Sequence, residues 1–230
     1  MSRRVAVVRR CLACKMHLSL CICALIPRLA TRTRLLLVIH RAEQRKSTNT
    51  GLLAAACLEN SAIVVRGEEA TGHAALPLTP TERAILLYPA EDALPLPELA
   101  ASLRRSTEPI TLVVPDGNWR QAAKVRKRVP GLAELPCVAL PVTVPSRYRL
   151  RTGAHDHSLA TLEAIARVLG VLEGPHVEAA MLVPFRAMVE RTLWARGRFD
   201  EGRVTGGIPE GVQRHDPESG TARCKLTESS

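Results

Sequence analysis

Arg34-Leu35-Leu36-Leu37-Val38-Ile39-His40 sets five apolar residues in a row between two polar ones. The run is too short for a buried helix, and it does not alternate, so neither face is built for water. That is the pattern of a strand covered on both sides in a parallel sheet. Similar runs recur at Ala62–Val65, Ala84–Tyr88, Ile110–Val114 and Cys137–Leu140. Helical segments separate them. Thr48-Asn49-Thr50-Gly51 opens one that continues through Leu52–Leu58. Pro97–Arg105 is a second, and Trp119–Arg128 is a third that Val129-Pro130-Gly131 ends. Ser158–Leu169 is a fourth, stopped by Gly170, and Val177–Arg196 is a fifth in which Pro184 marks a kink or restart. Strands alternating with helices predict an α/β fold, a mostly parallel sheet with flanking helices. Such sheets take ligands beyond the carboxyl ends of their strands. The loops after His40, Tyr88, Asp116 and Leu140 are therefore where function is expected.

The length, 230 residues, suits one domain with a small appendage. Aromatic residues are only 3%, so the core rests on Leu, Val, Ile and Ala. The net charge of +10 is unevenly placed. Residues 1–50 hold 11 Lys and Arg and a single acid, Glu43, and residues 116–151 hold 8 basic and 2 acidic residues. The rest of the chain is near neutral or acidic. Two basic blocks on a neutral body are what a nucleic-acid binder needs to neutralise phosphates.

Four of the seven cysteines crowd together as Cys11-x2-Cys14-x6-Cys21-x-Cys23. An odd total with this clustering argues against a secreted disulfide framework. Four thiolates at this spacing can close a tetrahedral zinc site, structural because the shell has no open position. Unliganded or redox cysteines are the alternative, and His17 is an outside candidate for a ligand. No apolar run reaches the length of a membrane helix, and the chain reads as soluble and cytoplasmic. The expected organisation is a metal-binding segment at 1–30, an α/β domain at 31–196 and a loose tail at 197–230.

Three further motifs sit at the expected loops. In Pro115-Asp116-Gly117-Asn118-Trp119, an acid ends a strand, a glycine lets the chain turn and an aromatic opens the next helix. Asp116 there points to proton transfer, and Trp119 to stacking on a base or an adenine. Capping and packing are the plain structural alternative. The helix that follows carries Lys124, Lys127 and Arg128 on one face, suited to phosphate contact. Lys46-Ser47-Thr48-Asn49-Thr50-Gly51 can present backbone N–H groups to an anion, although it is no P-loop. In Ser146-Arg147-Tyr148-Arg149-Leu150-Arg151, three alternating arginines suit a carboxylate or phosphate. His155 and His157 follow without a third metal ligand, and Glu163 reads as a structural partner of an arginine.

Taken together, these motifs resemble the DTW-domain proteins in order and spacing across residues 10–195. Asn118 stands where that family has threonine. The resemblance implies a SPOUT-like sheet, a class that includes knotted chains. It also implies a tRNA-uridine aminocarboxypropyltransferase. Such an enzyme moves the 3-amino-3-carboxypropyl group of S-adenosylmethionine to N3 of a tRNA uridine and releases 5′-methylthioadenosine. Asp116 would be the base and Trp119 its catalytic neighbour. Asn49, Thr50, Asn118, Arg149 and Arg151 would hold the donor. Lys124, Lys127, Arg128 and Arg147 would meet the RNA, and zinc would sit on Cys11, Cys14, Cys21 and Cys23. The partner is tRNA, with no membrane and no obligate protein partner. Two other readings remain: an RNA methyltransferase of SPOUT-like fold, releasing S-adenosylhomocysteine, and a non-catalytic zinc RNA-binding module.

Overall fold

The computed structural model describes residues 10–46, 49–66, 76–103, 108–117, 119–141, 146–150 and 159–214. For Trp119, Arg120, Gln121 and Lys124 it describes the backbone alone. Asn118, Arg151, His155 and His157, together with Ser47 and Thr48, lie outside the described residues.

Six strands form one sheet: β1 (Arg34–His40), β2 (Ser61–Arg66), β3 (Arg83–Leu87), β4 (Leu94–Pro95), β5 (Ile110–Asp116) and β6 (Cys137–Ala139). Their order is β2-β1-β5-β3-β6-β4, and every pairing is parallel. The helices are α1 (Arg41–Gln44), α2 (Thr50–Ala56), α3 (Leu96–Leu103), α4 (Trp119–Arg128), α5 (Thr161–Leu172) and α6 (Pro175–Ala195). The expected α/β architecture is thus present, with one short edge strand, β4, beyond the five expected.

The apolar run of β1 divides by its period of two. Leu35 and Leu37 join one buried cluster with Leu53, Leu99, Ile165 and Phe185, on the side of α2, α3, α5 and α6. Leu36 and Val38 join another with Leu86, Val113 and Val129, on the side of α4. All five apolar residues of the run are fully buried. Each contributes about 1.5–3 kcal/mol relative to exposure, which is why a run without alternation is stable here.

One helix boundary differs from expectation. Gly170 does not stop α5, which continues to Leu172. A Cβ on Gly170 would lie 2.8 Å from the Cβ of Glu178, so this glycine permits close packing of α5 on α6. Pro184, where a kink or restart is expected, lies inside α6, which is one helix from Pro175 to Ala195. Of the tail expected at 197–230, residues 215–230 lie outside the described residues, and part of the described stretch is tied to α6. Arg191 of α6 donates from Nε to the Gly207 carbonyl at 2.9 Å and from Nη2 to the Gly206 carbonyl at 3.1 Å. The Thr205 N–H reaches Glu190 at 2.6 Å, and Trp194 Nε1 donates to Glu201 at 3.2 Å. Polar contacts to α6, which an apolar-periodicity reading does not register, hold this segment. Among the described residues, no helix is long and apolar enough to cross a membrane.

Candidate active site and metal centre

Strands β1 and β5 lie side by side, with Ile39 in register with Asp116. The chain leaves β1 toward β2 on one side, while β5 and β3 occupy the other. The crevice at their carboxyl ends is therefore a switch point of the sheet. Asp116 stands in it, only 4% exposed. Its Oδ2 accepts Asn49 Nδ2 at 2.5 Å, and its Oδ1 accepts the Thr161 hydroxyl at 2.6 Å. Asn49 is the N-cap of α2, its Oδ1 accepting the Leu52 N–H at 2.8 Å. Thr161 opens α5. One carboxylate thus ties two helix starts to the end of a strand. Gly51 makes the approach possible, because a Cβ there would lie 2.8 Å from Asp116 Cγ. The Thr50 hydroxyl accepts the Leu162 N–H at 3.4 Å.

A cavity of about 150 Å³ opens beside Asp116, lined by Glu43, Lys46, Asn49, Thr50, Gly117, Tyr148 and Leu150. Segment 146–150 reaches it because Glu163, buried in α5, gathers three donors. These are the Ser146 hydroxyl at 2.5 Å, the Arg147 N–H at 2.8 Å and the Ala160 N–H at 2.9 Å. Glu163 is structural, as expected, but it grips the backbone of Arg147 at the N–H. Tyr148 also stacks on Phe185, ring centroids 6.0 Å apart. The alternation then decides the arginines. Tyr148 and Leu150 turn inward, while Arg147 and Arg149 are exposed and do not line the cavity. Lys127 and Arg128 are exposed too. They lie at the far end of α4, about 12 Å along the axis from Trp119 at a rise of 1.5 Å per residue. Sequence patterns assign no role to Glu43, Tyr148 or Thr161, and they place Lys46 only at the start of an anion-presenting segment. The signal for Glu43 and Lys46 is their place among the motifs of the family resemblance, three residues apart just past a strand.

The cysteines form a second centre. The four Sγ atoms all lie within 4.8 Å of one another, with Cys11 and Cys23 at 3.5 Å and Cys14 and Cys21 at 3.7 Å. Four sulfurs about 2.3 Å from a tetrahedral ion stand about 3.8 Å apart, so the cluster fits a metal ion and can hold one. The backbone supports this. The Cys11 N–H bonds the Met16 carbonyl at 2.8 Å, and Lys15 adopts a φ of 61° to close the turn. The Cys14 N–H aimed at Cys11 holds that thiol down at about 6, whereas burial pushes the thiols of Cys14 and Cys23 up. A central cation offsets the cost of keeping all four deprotonated. His17 takes no part. Its Nδ1 bonds the Ser19 hydroxyl at 2.6 Å and caps a short turn. Met16 and Ile22 bury this loop in the main core, and Arg191 Nη1 donates to the Cys21 carbonyl.

Known proteins resemble this chain over most of its length. The family model described as the DTW domain matches residues 8–193. A Drosophila melanogaster protein named tRNA-uridine aminocarboxypropyltransferase 2 is 31% identical over 192 residues, covering 80% of this chain and 75% of that protein. Proteins of the same name from Macaca fascicularis and Mus musculus are 28% and 30% identical, each over 77% of this chain and 61% of their own length. Among solved structures, the SAM-dependent rRNA:acp-transferase Tsr3 from Vulcanisaeta distributa superposes with a TM-score of 0.42 and 14% identity, over 80% of this chain and 85% of that one. The family match spans the four-cysteine loop, the Asp116 crevice and most of α6, and on that match the chain belongs to the DTW domain family.

Proposed function

We propose that this chain is a tRNA-uridine aminocarboxypropyltransferase. It takes the 3-amino-3-carboxypropyl group from S-adenosylmethionine and places it on N3 of a uridine in tRNA. The observation that carries the reading is Asp116, a buried carboxylate at the switch point, held by Asn49 and Thr161 beside a cavity. The names of the relatives support the substrate class.

The chemistry asks for a base and an aimed electrophile. Each oxygen of Asp116 has about two acceptor sites, and one on each is occupied. A free site accepts the N3 proton. The N3 electron pair then forms a bond to the donor's γ-carbon, the carbon–sulfur bond breaks toward sulfur, and neutral 5′-methylthioadenosine leaves. Asn49 and Thr161 keep the carboxylate aimed while this happens. Trp119 stacks on a base or adenine, and Asn49, Thr50, Asn118 and Arg151 contact the donor, whereas Arg149, expected in the same set, is exposed and outside the cavity lining. Lys124, Lys127, Arg128 and Arg147 meet the RNA backbone. The ion on Cys11, Cys14, Cys21 and Cys23 is Zn²⁺ in a structural role, since four thiolates leave no open position.

The test is incubation with S-adenosylmethionine and unmodified tRNA, followed by mass spectrometry of nucleosides and small products. The carboxypropyl nucleoside with methylthioadenosine is expected. A methylated nucleoside with S-adenosylhomocysteine overturns the reading in favour of a methyltransferase, and no product with no donor binding leaves a non-catalytic RNA-binding module.

A further inference from the structure

The cavity beside Asp116 carries a second pair of charges, which the proposed transfer step does not use. Glu43 lies in α1, just past the end of β1, and is only 8% exposed. Its Oε1 accepts Lys46 Nζ at 2.5 Å. Both residues line the cavity together with Asp116. An ion pair three residues apart on a solvated helix face contributes little. This pair is placed differently, because its acidic half is buried and both halves border the same hollow. Among the described residues, Lys46 is the cation that lines the cavity.

The charges form a pattern of two negatives, Asp116 and Glu43, and one positive, Lys46. A donor of the S-adenosylmethionine type carries the inverse pattern: a sulfonium, an α-ammonium and an α-carboxylate. Resting on the donor reading of the proposed function, we infer that Glu43 and Lys46 form the subsite for the α-amino acid end of the donor. Lys46 Nζ takes the α-carboxylate and Glu43 takes the α-ammonium. Each exchanges its present partner for one half of a zwitterion, so no buried charge is left uncompensated. The size agrees. A hollow of about 150 Å³ is smaller than the roughly 300–1,000 Å³ of sites for whole ligands, and it suits an amino-acid-sized group. The consequence is chemical selectivity. Only the β-carbon separates the α-carbon from the γ-carbon, so anchoring the α-carbon near Asp116 presents the γ-carbon and not the S-methyl to the nucleophile.

The experiment compares dissociation constants for S-adenosylmethionine and decarboxylated S-adenosylmethionine by calorimetry. The second compound keeps the sulfonium and the amine and lacks the carboxylate. The wild type is expected to prefer the carboxylated donor by about tenfold or more. Lys46→Met brings the two constants within about twofold by weakening the carboxylated donor alone, and Lys46→Arg restores part of the preference. Glu43→Gln weakens both donors, because both keep the amine. The Lys46 side chain is 56% exposed, so its variants are expected to fold. A preference that survives Lys46→Met overturns the subsite while leaving the donor reading intact. A wild type that binds neither compound overturns the donor reading and the subsite with it.

Discussion

Asn49 serves two partners with one amide: Nδ2 donates to Asp116 Oδ2 at 2.5 Å, and Oδ1 accepts the Leu52 N–H at 2.8 Å. The start of α2 and the carboxylate at the end of β5 are thereby oriented by the same group. Asparagine is needed for this, because the cap demands an acceptor and the carboxylate demands a donor.

Asn49→Asp separates the two roles. The cap survives, but two carboxylates now face each other. Loss of a donor to a charged acceptor costs about 1.5–3 kcal/mol, read here as a fall of about 10- to 100-fold in turnover on tRNA. The checks are steady-state kinetics and a thermal melt; a folded variant with unchanged turnover counts against the positioning role.

Gly51→Ala tests close approach. Alanine is the better helix former by about 1 kcal/mol, so a solvated position would gain stability. Here the new Cβ would lie 2.8 Å from Asp116 Cγ. Net destabilisation of about 1–3 kcal/mol is expected, with reduced turnover. Denaturant titration reads the sign, and a more stable, fully active variant would remove the argument.

Metal analysis is expected to find one zinc ion per chain, absent from Cys14→Ser. Because Met16 and Ile22 sit in the main core, chelation should lower the melting temperature of the whole molecule, not of a detached loop. Arg191→Met should lower it as well while keeping the metal, since Arg191 bonds carbonyls around the loop and not its sulfurs.

Glu82 predicts an acid-sensitive contribution. Burial pushes its carboxyl up, but the Thr111 hydroxyl, the Thr79 N–H and Arg34 together pull harder and hold it below its ordinary value. A lowered folded-state pKa stabilises above the unfolded value, and that stability disappears as pH falls through the folded one. Glu82→Gln should therefore be less stable than the wild type at pH 7. The difference should shrink as pH falls below the ordinary glutamate value of about 4.3 and vanish beneath the lowered folded one. Melting curves across that range decide it.

Salt dependence separates the two basic faces. Removing one phosphate interaction reduces the slope of log affinity against log salt by about 0.7–0.9. Neutralising Arg147, beside the crevice, should reduce the slope for tRNA, and neutralising Lys127 with Arg128 tests whether RNA extends to the far end of α4. An unchanged slope for the latter pair confines the RNA to the crevice side.

Much of this architecture is legible in the chain itself. β1, β5 and their neighbours follow from apolar runs without alternation, because only a sheet covered on both faces leaves such runs nowhere exposed. The cysteine cluster is legible from spacing, because its four members come from one short loop. The helix end expected at Gly170 fails because glycine has two uses, as a terminator and as a site of close packing. Only the neighbouring Glu178 tells them apart. The packed segment after residue 196 escapes an apolar pattern because Arg191 and Glu190 hold it through polar groups.

Local pattern along the chain decides the alternation of strands and helices and the place of the crevice, since both depend on periodicity and on strand ends. It also decides the family, through motifs in a fixed order and spacing. Which side chains share a space is a matter of the folded molecule. Asn49, Asp116 and Thr161 are up to 112 positions apart, and they meet only because β5 lies beside β1 and α5 returns to the same edge. The alternation that turns Tyr148 inward and Arg149 outward likewise depends on Glu163 holding the segment in place. Contacts of this kind arise from long-range packing, which no local pattern encodes.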